Sequence, residues 1–546
     1  MMRNASLYLA TVIAVPLTLA AVPASQDHSH HGDALGTVKF ETSCSADVAA
    51  SFKKAVALLH SFGYEESRRA FEDVAKRDGR CAMAQWGIAM TWWHPMWAAP
   101  TSAELLSGSQ AATAAKAMAG GTARERAYIE AIGAFYDKAD TLGHQARAVA
   151  YRERMRQITA DFKDDDEASI FYALSLLATA PPADATFANQ KQAAEILTRI
   201  STTQPDHPGV VHYLIHAFDY PPLAREALPA ARAYAKVAPA SPHALHMPTH
   251  IFTRLGLWQE SIDANLASAR TAREIVARAH PGATSFDALH ALDYLVYAYL
   301  QIDNEDQARA AADEAASARR FDEPNFAAGY AIAAIPARRI LERHDWRGAA
   351  ALEPPAVDLP WQRFPYAPAI TQFAQAIGAA RSGQSARARA ALDALSATQQ
   401  QLTKSPVPGP YDWAGQVESM RLAAHAWTLR AEGRNDEALT DARAAADLEE
   451  KVGKHPVTPG AILPARELLG DLLLDLDRPG EALTAFESSL AQSPNRFNSL
   501  AGAASAAARA GRREKAVEYS RALLAQTAKE SKRPEARTAR ELLGGK

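Results

Sequence analysis

Helical periodicity is the feature that most constrains the fold of this chain. The stretch "SADVAASFKKAVALLHSFGYEESRRAFEDVAKRDGRCAMAQWGIAM" alternates helix-length segments with short turns. Its apolar residues recur every three or four positions, and similar segments of roughly 12–20 residues fill nearly the whole chain. No convincing run alternates apolar and polar residues with the period of two that a half-buried strand requires. The sequence therefore predicts an all-α protein.

The C-terminal part adds a longer period. The segment "ARELLGDLLLDLDRPGEALTAFESSLAQSPNR" carries small, large and turn residues at hairpin intervals, namely Leu469, Gly470, Leu473, Ala482, Phe486 and Pro494. Ala516 in "GRREKAVEYSRALLA" takes the same small-residue position in the next hairpin as Ala482. This pattern resembles the tetratricopeptide repeat superfamily, whose repeat has about 34 residues. The resemblance implies a tetratricopeptide-like solenoid of helical hairpins, wound as a right-handed superhelix with a concave groove.

Weaker forms of the same pattern extend towards the N-terminus. Second-helix starts recur in "GLWQESIDANLAS", "NEDQARAAADEAAS" and "RNDEALTDARAAAD". The chain is also similar to a group of secreted bacterial repeat proteins with "HSFGY", "WGIAM" and "HMPTHIF" blocks. Proline-rich stretches interrupt the array near 352–368 and 404–414. We therefore expect a degenerate array with a His-rich groove at 45–351, a proline-interrupted helical connector at 352–412 and a C-terminal repeat array at 413–546.

The N-terminal stretch "MMRNASLYLATVIAVPLTLAAVPAS" indicates export. A basic residue precedes an apolar run that ends in small residues, as in a secretory signal peptide. We predict a signal peptide at 1–24, a disordered His-containing segment at 25–44, and a periplasmic or secreted protein with no membrane span after cleavage. Because an oxidising compartment joins cysteines, the only two in the chain, Cys44 and Cys81, are expected to form a disulfide.

Composition and missing motifs exclude several functions. The formal net charge of −3 gives no basic surface for nucleic acid. The chain has no GxSxG nucleophile elbow, no phosphate-binding GxxxxGK[ST] loop and no GxGxxG after a strand. Its two HxxxH pairs lack the glutamate of the HExxH protease motif. No catalytic residue is assigned from the sequence, and whether the protein is an enzyme is left open.

The two HxxxH pairs are themselves related by the repeat. His246 follows His212, and His250 follows His216, at the same interval that separates Ala516 from Ala482. The tetratricopeptide resemblance places each pair at positions 5 and 9 of its repeat. In that superfamily, positions 2, 5, 9 and 12 of the first helix face the groove. Pro248 lies inside the second pair and is expected to bend or start a helix there.

The same register extends to the following repeat. It places His290, Asp293 and Tyr297 at positions 2, 5 and 9 of that repeat. The resemblance thus implies one shared cluster of candidate metal ligands: His212, His216, His246, His250, His290 and Asp293. Paired imidazoles one helical turn apart can clasp one transition-metal ion, and the residue types suit zinc, copper or iron without ranking them.

Two other interpretations of these histidines are open. They could line a metal-free groove that binds a ligand, or they could fill a helical core. Further residues expected along the groove are His60, Tyr64, His94, Asp219, Tyr294 and Tyr297. We therefore predict an exported solenoid that binds a protein or peptide partner, or a small-molecule ligand, through this groove. The alternative is a metalloprotein with ligands from the HxxxH pairs, including a metal-dependent enzyme.

Overall fold

The computed structural model of the chain describes residues 35–96, 99–118, 121–181, 184–409 and 411–544. The predicted signal peptide at 1–24 and the beginning of the His-containing segment, 25–34, lie outside the described residues. Residues 35–44 form no helix, yet Leu35, Val38 and Phe40 are buried. This part of the segment is therefore packed against the fold, which departs from the disorder expected for 25–44.

The described residues form an all-α structure, as the sequence predicts. The first helices are α1 (Ala49–His60), α2 (Tyr64–Arg77), α3 (Ala82–Thr91), α4 (Ser102–Ala117), α5 (Ala123–Tyr136), α6 (His144–Asp161), α7 (Asp166–Ala178), α8 (Ala188–Ser201), α9 (Pro208–Phe218) and α10 (Leu228–Val237). Short 3-10 helices occupy Ala46–Val48, Ala224–Ala227 and Trp361–Arg363. Within the described ranges, β-structure is limited to an isolated bridge between Thr284 and Phe321.

The helices continue to the C-terminus in the same manner. They are α11 (Pro242–His246), α12 (Pro248–Arg254), α13 (Trp258–Ala279), α14 (Phe286–Gln301), α15 (Glu305–Ala316), α16 (Phe326–Glu342), α17 (Trp346–Ala350), α18 (Ala367–Arg381), α19 (Ser385–Lys404), α20 (Trp413–Ala431), α21 (Asn435–Val452), α22 (Ala465–Asp475), α23 (Pro479–Gln492), α24 (Phe497–Arg509), α25 (Arg513–Gln526) and α26 (Pro534–Gly544). Across the described segments, no helix is both long enough and apolar enough to cross a membrane.

Each helix packs mainly on its neighbours in sequence, so the chain is an α-solenoid of helical hairpins. The predicted fold class is thereby confirmed. Local sequence explains where many helices begin and end. Thr101 and Thr122 each cap a helix by accepting a hydrogen bond from the backbone N–H of the glutamate three positions later, and that carboxylate bonds back. Asp477 and Gly511, at equivalent positions of successive hairpins, both turn the chain with a left-handed backbone between two helices.

The predicted disulfide between Cys44 and Cys81 is confirmed. Cys81 lies immediately before α3, and Cys44 lies in the packed segment before the first helices. The bond therefore fastens that N-terminal segment to the second hairpin. Cross-linking two positions 37 residues apart stabilises a fold by restricting the unfolded chain, on the order of 3–4 kcal/mol.

The C-terminal hairpins fold back onto the middle of the solenoid. Arg496, between α23 and α24, is fully buried and donates to Glu342 on α16, Glu467 on α22 and the hydroxyl of Tyr297 on α14. The segment 453–464 between α21 and α22 lies against the same middle helices, since Arg338 on α16 donates to the Ala461 carbonyl at 2.7 Å. This closure encloses the first helices of the central hairpins.

Replacing Arg496 with methionine should lower the free energy of unfolding by about 3–5 kcal/mol, because Glu342 and Glu467 would be left as buried charges without their partner. The measurement is urea unfolding followed by circular dichroism. Arg478→Met is the matched control, since Arg478 pairs with Glu481 on the surface and an exposed ion pair contributes only about 0.2–1 kcal/mol. Equal losses in the two variants would contradict the structural role of the buried arginine.

Candidate metal centre

Six imidazoles meet where three successive hairpins pack together. They belong to His212 and His216 on α9, His243 and His246 on α11, His250 on α12 and His290 on α14. They form two groups, which we call the first triad (His212, His216, His243) and the second triad (His246, His250, His290). Within each triad, one ring nitrogen per residue lies within 4.8 Å of the others. All six side chains are buried, so they line an enclosed centre rather than an open groove.

The triads are built in the same way from the helical repeat. Each triad contains the histidines at positions 5 and 9 of one hairpin and the histidine at position 2 of the next. The first triad combines His212 and His216 with His243, and the second combines His246 and His250 with His290. The helix break between α11 and α12 falls at Pro248, which lacks the backbone N–H for a continuous helix. His243 contacts α9, whereas His246 contacts α14.

In the first triad the ring nitrogens face one another. The His212 Nε2 lies 3.1 Å from the Nε2 of His216 and 3.0 Å from the Nε2 of His243. The His212 Nδ1 lies 2.6 Å from the backbone carbonyl oxygen of His60, which can only accept a hydrogen bond. Nδ1 therefore carries the proton and Nε2 carries a lone pair. One lone pair cannot accept good hydrogen bonds from two neighbouring imidazoles at once, whereas a cation can be coordinated by all three nitrogens.

In the second triad two lone pairs face each other directly. The His246 Nδ1 donates to the Oδ1 of Asn265 at 2.8 Å, and the Asn265 amide is oriented by its bond to the Ser261 carbonyl. The His250 Nδ1 donates to the carboxylate of Asp219 at 3.1 Å. Both Nε2 atoms are thus unprotonated, and they lie 3.2 Å apart. Two lone pairs at this distance repel each other unless a cation lies between them.

The imidazoles are uncharged at neutral pH. Burial lowers the pKa of all six, and neighbouring histidines lower the pKa of five of them further. For His216, burial and then His250 bring the pKa to about 3. Neutral imidazole is the form that binds a metal ion. The triads are adjacent, because the ring centres of His216 and His250 are 6.3 Å apart.

The second triad has a charged partner behind it. The Asp219 carboxylate accepts from Arg254 at 2.9 Å and from Lys454 at 2.9 Å, as well as from His250. Burial alone would raise the pKa of Asp219, but Lys454 and Arg254 lower it well below its usual range. The carboxylate is therefore charged and holds the His250 ring in the tautomer that directs Nε2 into the triad.

The first triad is supported by a different buried group. Glu167 accepts from the Nε2 of His60 at 3.0 Å and from the Nε2 of His207 at 2.9 Å. Burial would raise the pKa of Glu167, but the two histidines lower it to about 2. Gly209 lets α9 approach this group, because a Cβ there would lie 2.6 Å from the His60 Nδ1. The carboxylate thus fixes His60, whose carbonyl orients His212.

His60, Glu167 and His207 are also close enough to share an ion. The hydrogen bonds to the carboxylate already use both Nε2 atoms, so this arrangement of side chains does not require a bound ion.

Other residues that the sequence placed along the groove lie near the triads. Tyr294 donates to the backbone of the 453–464 segment, at 3.1 Å from the Thr458 oxygen, and its hydroxyl lies 3.3 Å from the His250 Nδ1.

Asp293, predicted as a metal ligand, lies outside both triads, as do the predicted groove residues Tyr297 and His94. Asp293 pairs with Arg338 at 3.3 Å, and its other oxygen has no hydrogen-bond partner among the described residues. Tyr297 accepts a hydrogen bond from Arg496, and His94 bonds the Thr91 carbonyl and packs against Tyr64.

His243 is a member of the first triad that was not predicted from the sequence. The signal was available, since His243 lies three positions before His246 and so takes the position 2 that His290 takes in the next repeat.

No family model and no curated protein matches this chain. Two solved structures align with most of its length. One is the "Crystal structure of APC/C hetero-tetramer Cut9-Hcn1", with 13% identity, 91% of each chain covered and a TM-score of 0.31. The other is the "Structure of Naa15/Naa10 bound to HypK-THB", with 12% identity, 88% of this chain and 70% of that chain covered and a TM-score of 0.23. At these TM-scores neither similarity is evidence for the function of this protein.

Replacing Glu167 with glutamine should lower the free energy of unfolding by about 1.5–3 kcal/mol, because one amide cannot accept from both His60 and His207. Urea unfolding in the presence of a chelator measures this loss without a contribution from bound metal. Glu153→Gln is the control, since the Glu153 carboxylate is half exposed and pairs with surface arginines. A Glu167 variant as stable as the control would contradict the supporting role of the buried carboxylate.

Proposed function

We propose that this protein is a metal-dependent enzyme whose centre holds two copper ions, one in each histidine triad. The observation that carries the proposal is the convergence of ring nitrogens at 3.0–3.2 Å from one another in a buried site, where hydrogen bonds leave the Nε2 atoms of His212, His246 and His250 unprotonated. Nitrogens bound tetrahedrally to one ion at about 2.0–2.1 Å lie about 3.3 Å apart. The observed spacing is therefore close to that of ligands around a shared ion.

The ligand types favour copper over iron and zinc. Neither triad contains a carboxylate among the described residues, whereas non-haem iron sites commonly include one. A cavity of about 10 Å³ lies between the triads, lined by His216, His243, His250 and His290 and by Met96 and Met247. Thioether sulfur favours copper(I), and copper(II) binds such nitrogen sites more tightly than zinc does.

The arrangement supports catalysis more than storage. Three protein ligands leave a coordination position open, which is the pattern of catalytic rather than structural metal sites. The cavity between the triads has space for about one water molecule. A peptide could not reach these buried side chains as it would reach an open groove, so binding of a protein partner elsewhere on the solenoid stays a separate prediction.

An exported location also fits the proposal. The Cys44–Cys81 disulfide is a bond that forms and persists in oxidising compartments. We propose a periplasmic or secreted protein on this ground, together with the signal peptide predicted at 1–24.

Elemental analysis by plasma mass spectrometry should find two copper ions per chain in protein that is exported natively and purified without a His tag. Each of His212→Ala and His246→Ala should lower the content from two ions to one, because each removes a ligand of one triad. His425→Ala is the control, since His425 is partly exposed and pairs with Asp441. No metal in any form, even after reconstitution, would refute the proposal, and zinc in both triads would refute the choice of copper.

Replacing Asp219 with asparagine should weaken ion binding in the second triad about 10- to 100-fold, as loss of the carboxylate behind a metal-bound histidine commonly does. Competition with a chromogenic chelator measures the affinity of each ion in turn. The ion in the first triad should be retained as in the unsubstituted protein. Asp263→Asn serves as the control, because Asp263 accepts from Gln259 on the surface of α13. Equal weakening of both ions would contradict a specific role for Asp219.

A further inference from the structure

A large chamber ends at the first triad. Its volume is about 650 Å³, within the range of pockets that enclose small organic ligands. The chamber and the small cavity between the triads share Met96, His216 and Pro456 in their walls. Of the six triad histidines, His216 is the one that lines the chamber in the described structure. The ion of the first triad is therefore the one that a molecule in the chamber can approach.

Aromatic rings and prolines form much of the chamber wall. Tyr366 stacks on Trp413 with ring centres 3.8 Å apart, and His455 stacks on Trp413 at 5.3 Å. Pro221 and Pro222 also line the chamber. A flat aromatic ring packs well against such a wall, through offset or edge-to-face contacts with its rings and through contact with the prolines.

The wall also carries a hydroxyl that lacks a partner. Tyr366 is 2% exposed and lines the chamber, and its hydroxyl has no hydrogen-bond partner among the described residues. A buried polar group without a partner is destabilising, so a ligand that bonds this hydroxyl gains affinity from satisfying it. The ligand therefore needs a hydrogen-bonding substituent as well as a ring.

The charges of the wall indicate a neutral ligand. Among the described residues that line the chamber, four are acidic (Asp184, Asp219, Glu449, Glu450) and four are basic (Arg254, Lys451, Lys454, Arg466). Their formal charges cancel, and because burial raises the pKa of Glu449 to about 7, the wall carries between zero and one net positive charge near neutral pH, which favours a neutral ligand over one with several charges. At the triad end, however, the charge of a metal ion favours an oxygen that becomes negative once it is coordinated.

We propose that the chamber binds a phenol with a second polar substituent, and that the phenol oxygen becomes a ligand of the ion held by His212, His216 and His243. The coordination step rests on the proposed function. A phenol enters as a neutral molecule, its ring packs on the aromatic wall, and its oxygen would bind the metal as phenolate, with the O–H proton released to water in the chamber. The second substituent bonds the Tyr366 hydroxyl.

The test uses 4-nitrophenol, whose absorption reports ionisation and coordination of its oxygen. It is titrated into the metal-free and the copper-loaded protein, with metal content measured on the same samples. The copper-loaded protein should bind it at least about 10-fold more tightly than the metal-free protein, with a spectral shift towards the coordinated phenolate. In both forms Tyr366→Phe should weaken binding about 3- to 10-fold, the effect of one hydrogen bond.

Tyr151→Phe is the matched control. Tyr151 is also buried, and its hydroxyl also lacks a hydrogen-bond partner among the described residues, but it packs on Trp93 away from the chamber. Removing the Tyr151 hydroxyl should leave 4-nitrophenol binding unchanged. Equal effects of the two substitutions would overturn the assignment of Tyr366.

The outcomes separate this inference from the proposed function. A protein that holds two ions but binds no 4-nitrophenol would overturn the inference and leave the metal centre standing. A protein that holds no metal yet binds 4-nitrophenol in a Tyr366-dependent way would overturn the coordination step and the proposed function, while supporting the chamber as a phenol site.

Discussion

Uncharged imidazoles buried side by side are the constraint on which the centre of this protein depends. Burial keeps the six histidines neutral, and the hydrogen bonds behind His212, His246 and His250 fix which ring nitrogen carries the proton. The Nε2 atoms of His246 and His250 then direct lone pairs at each other, and the lone pair of the His212 Nε2 faces two further rings. Hydrogen bonds among the rings cannot satisfy all of these lone pairs, whereas a cation in each triad can.

The solenoid supplies this arrangement by repetition. Each of two successive hairpins supplies the histidines at its positions 5 and 9, and the hairpin that follows supplies the histidine at position 2. The same local geometry therefore occurs twice, and the two triads lie side by side. The C-terminal hairpins then enclose the centre. Arg496 fastens them to α14 and α16 through buried charges, and the segment 453–464 brings Lys454 to Asp219 and lies against Tyr294. A surface groove thereby becomes an interior site that opens towards a chamber.

Much of the local structure could be predicted from the sequence, but the charge network around the centre could not. The repeat period indicated the hairpins, and the predicted export signal together with a single cysteine pair indicated the disulfide. Asp293 was placed among the ligands by its repeat position, yet it pairs with Arg338, a partner 45 residues away. Glu167, Asn265 and Lys454 carry no motif, because each acts through a neighbour that only packing provides.

By itself the sequence determined the all-α hairpin fold and the repeated HxxxH pairs, because helical period and repeat length are local properties of the chain. Tertiary structure alone decided that the histidines divide into two triads, that His212, His246 and His250 each have a fixed tautomer, and that one triad meets an aromatic chamber. Those features depend on contacts between residues up to 235 positions apart, such as Lys454 with Asp219. No local pattern encodes such contacts, because they exist only once the solenoid has closed on itself.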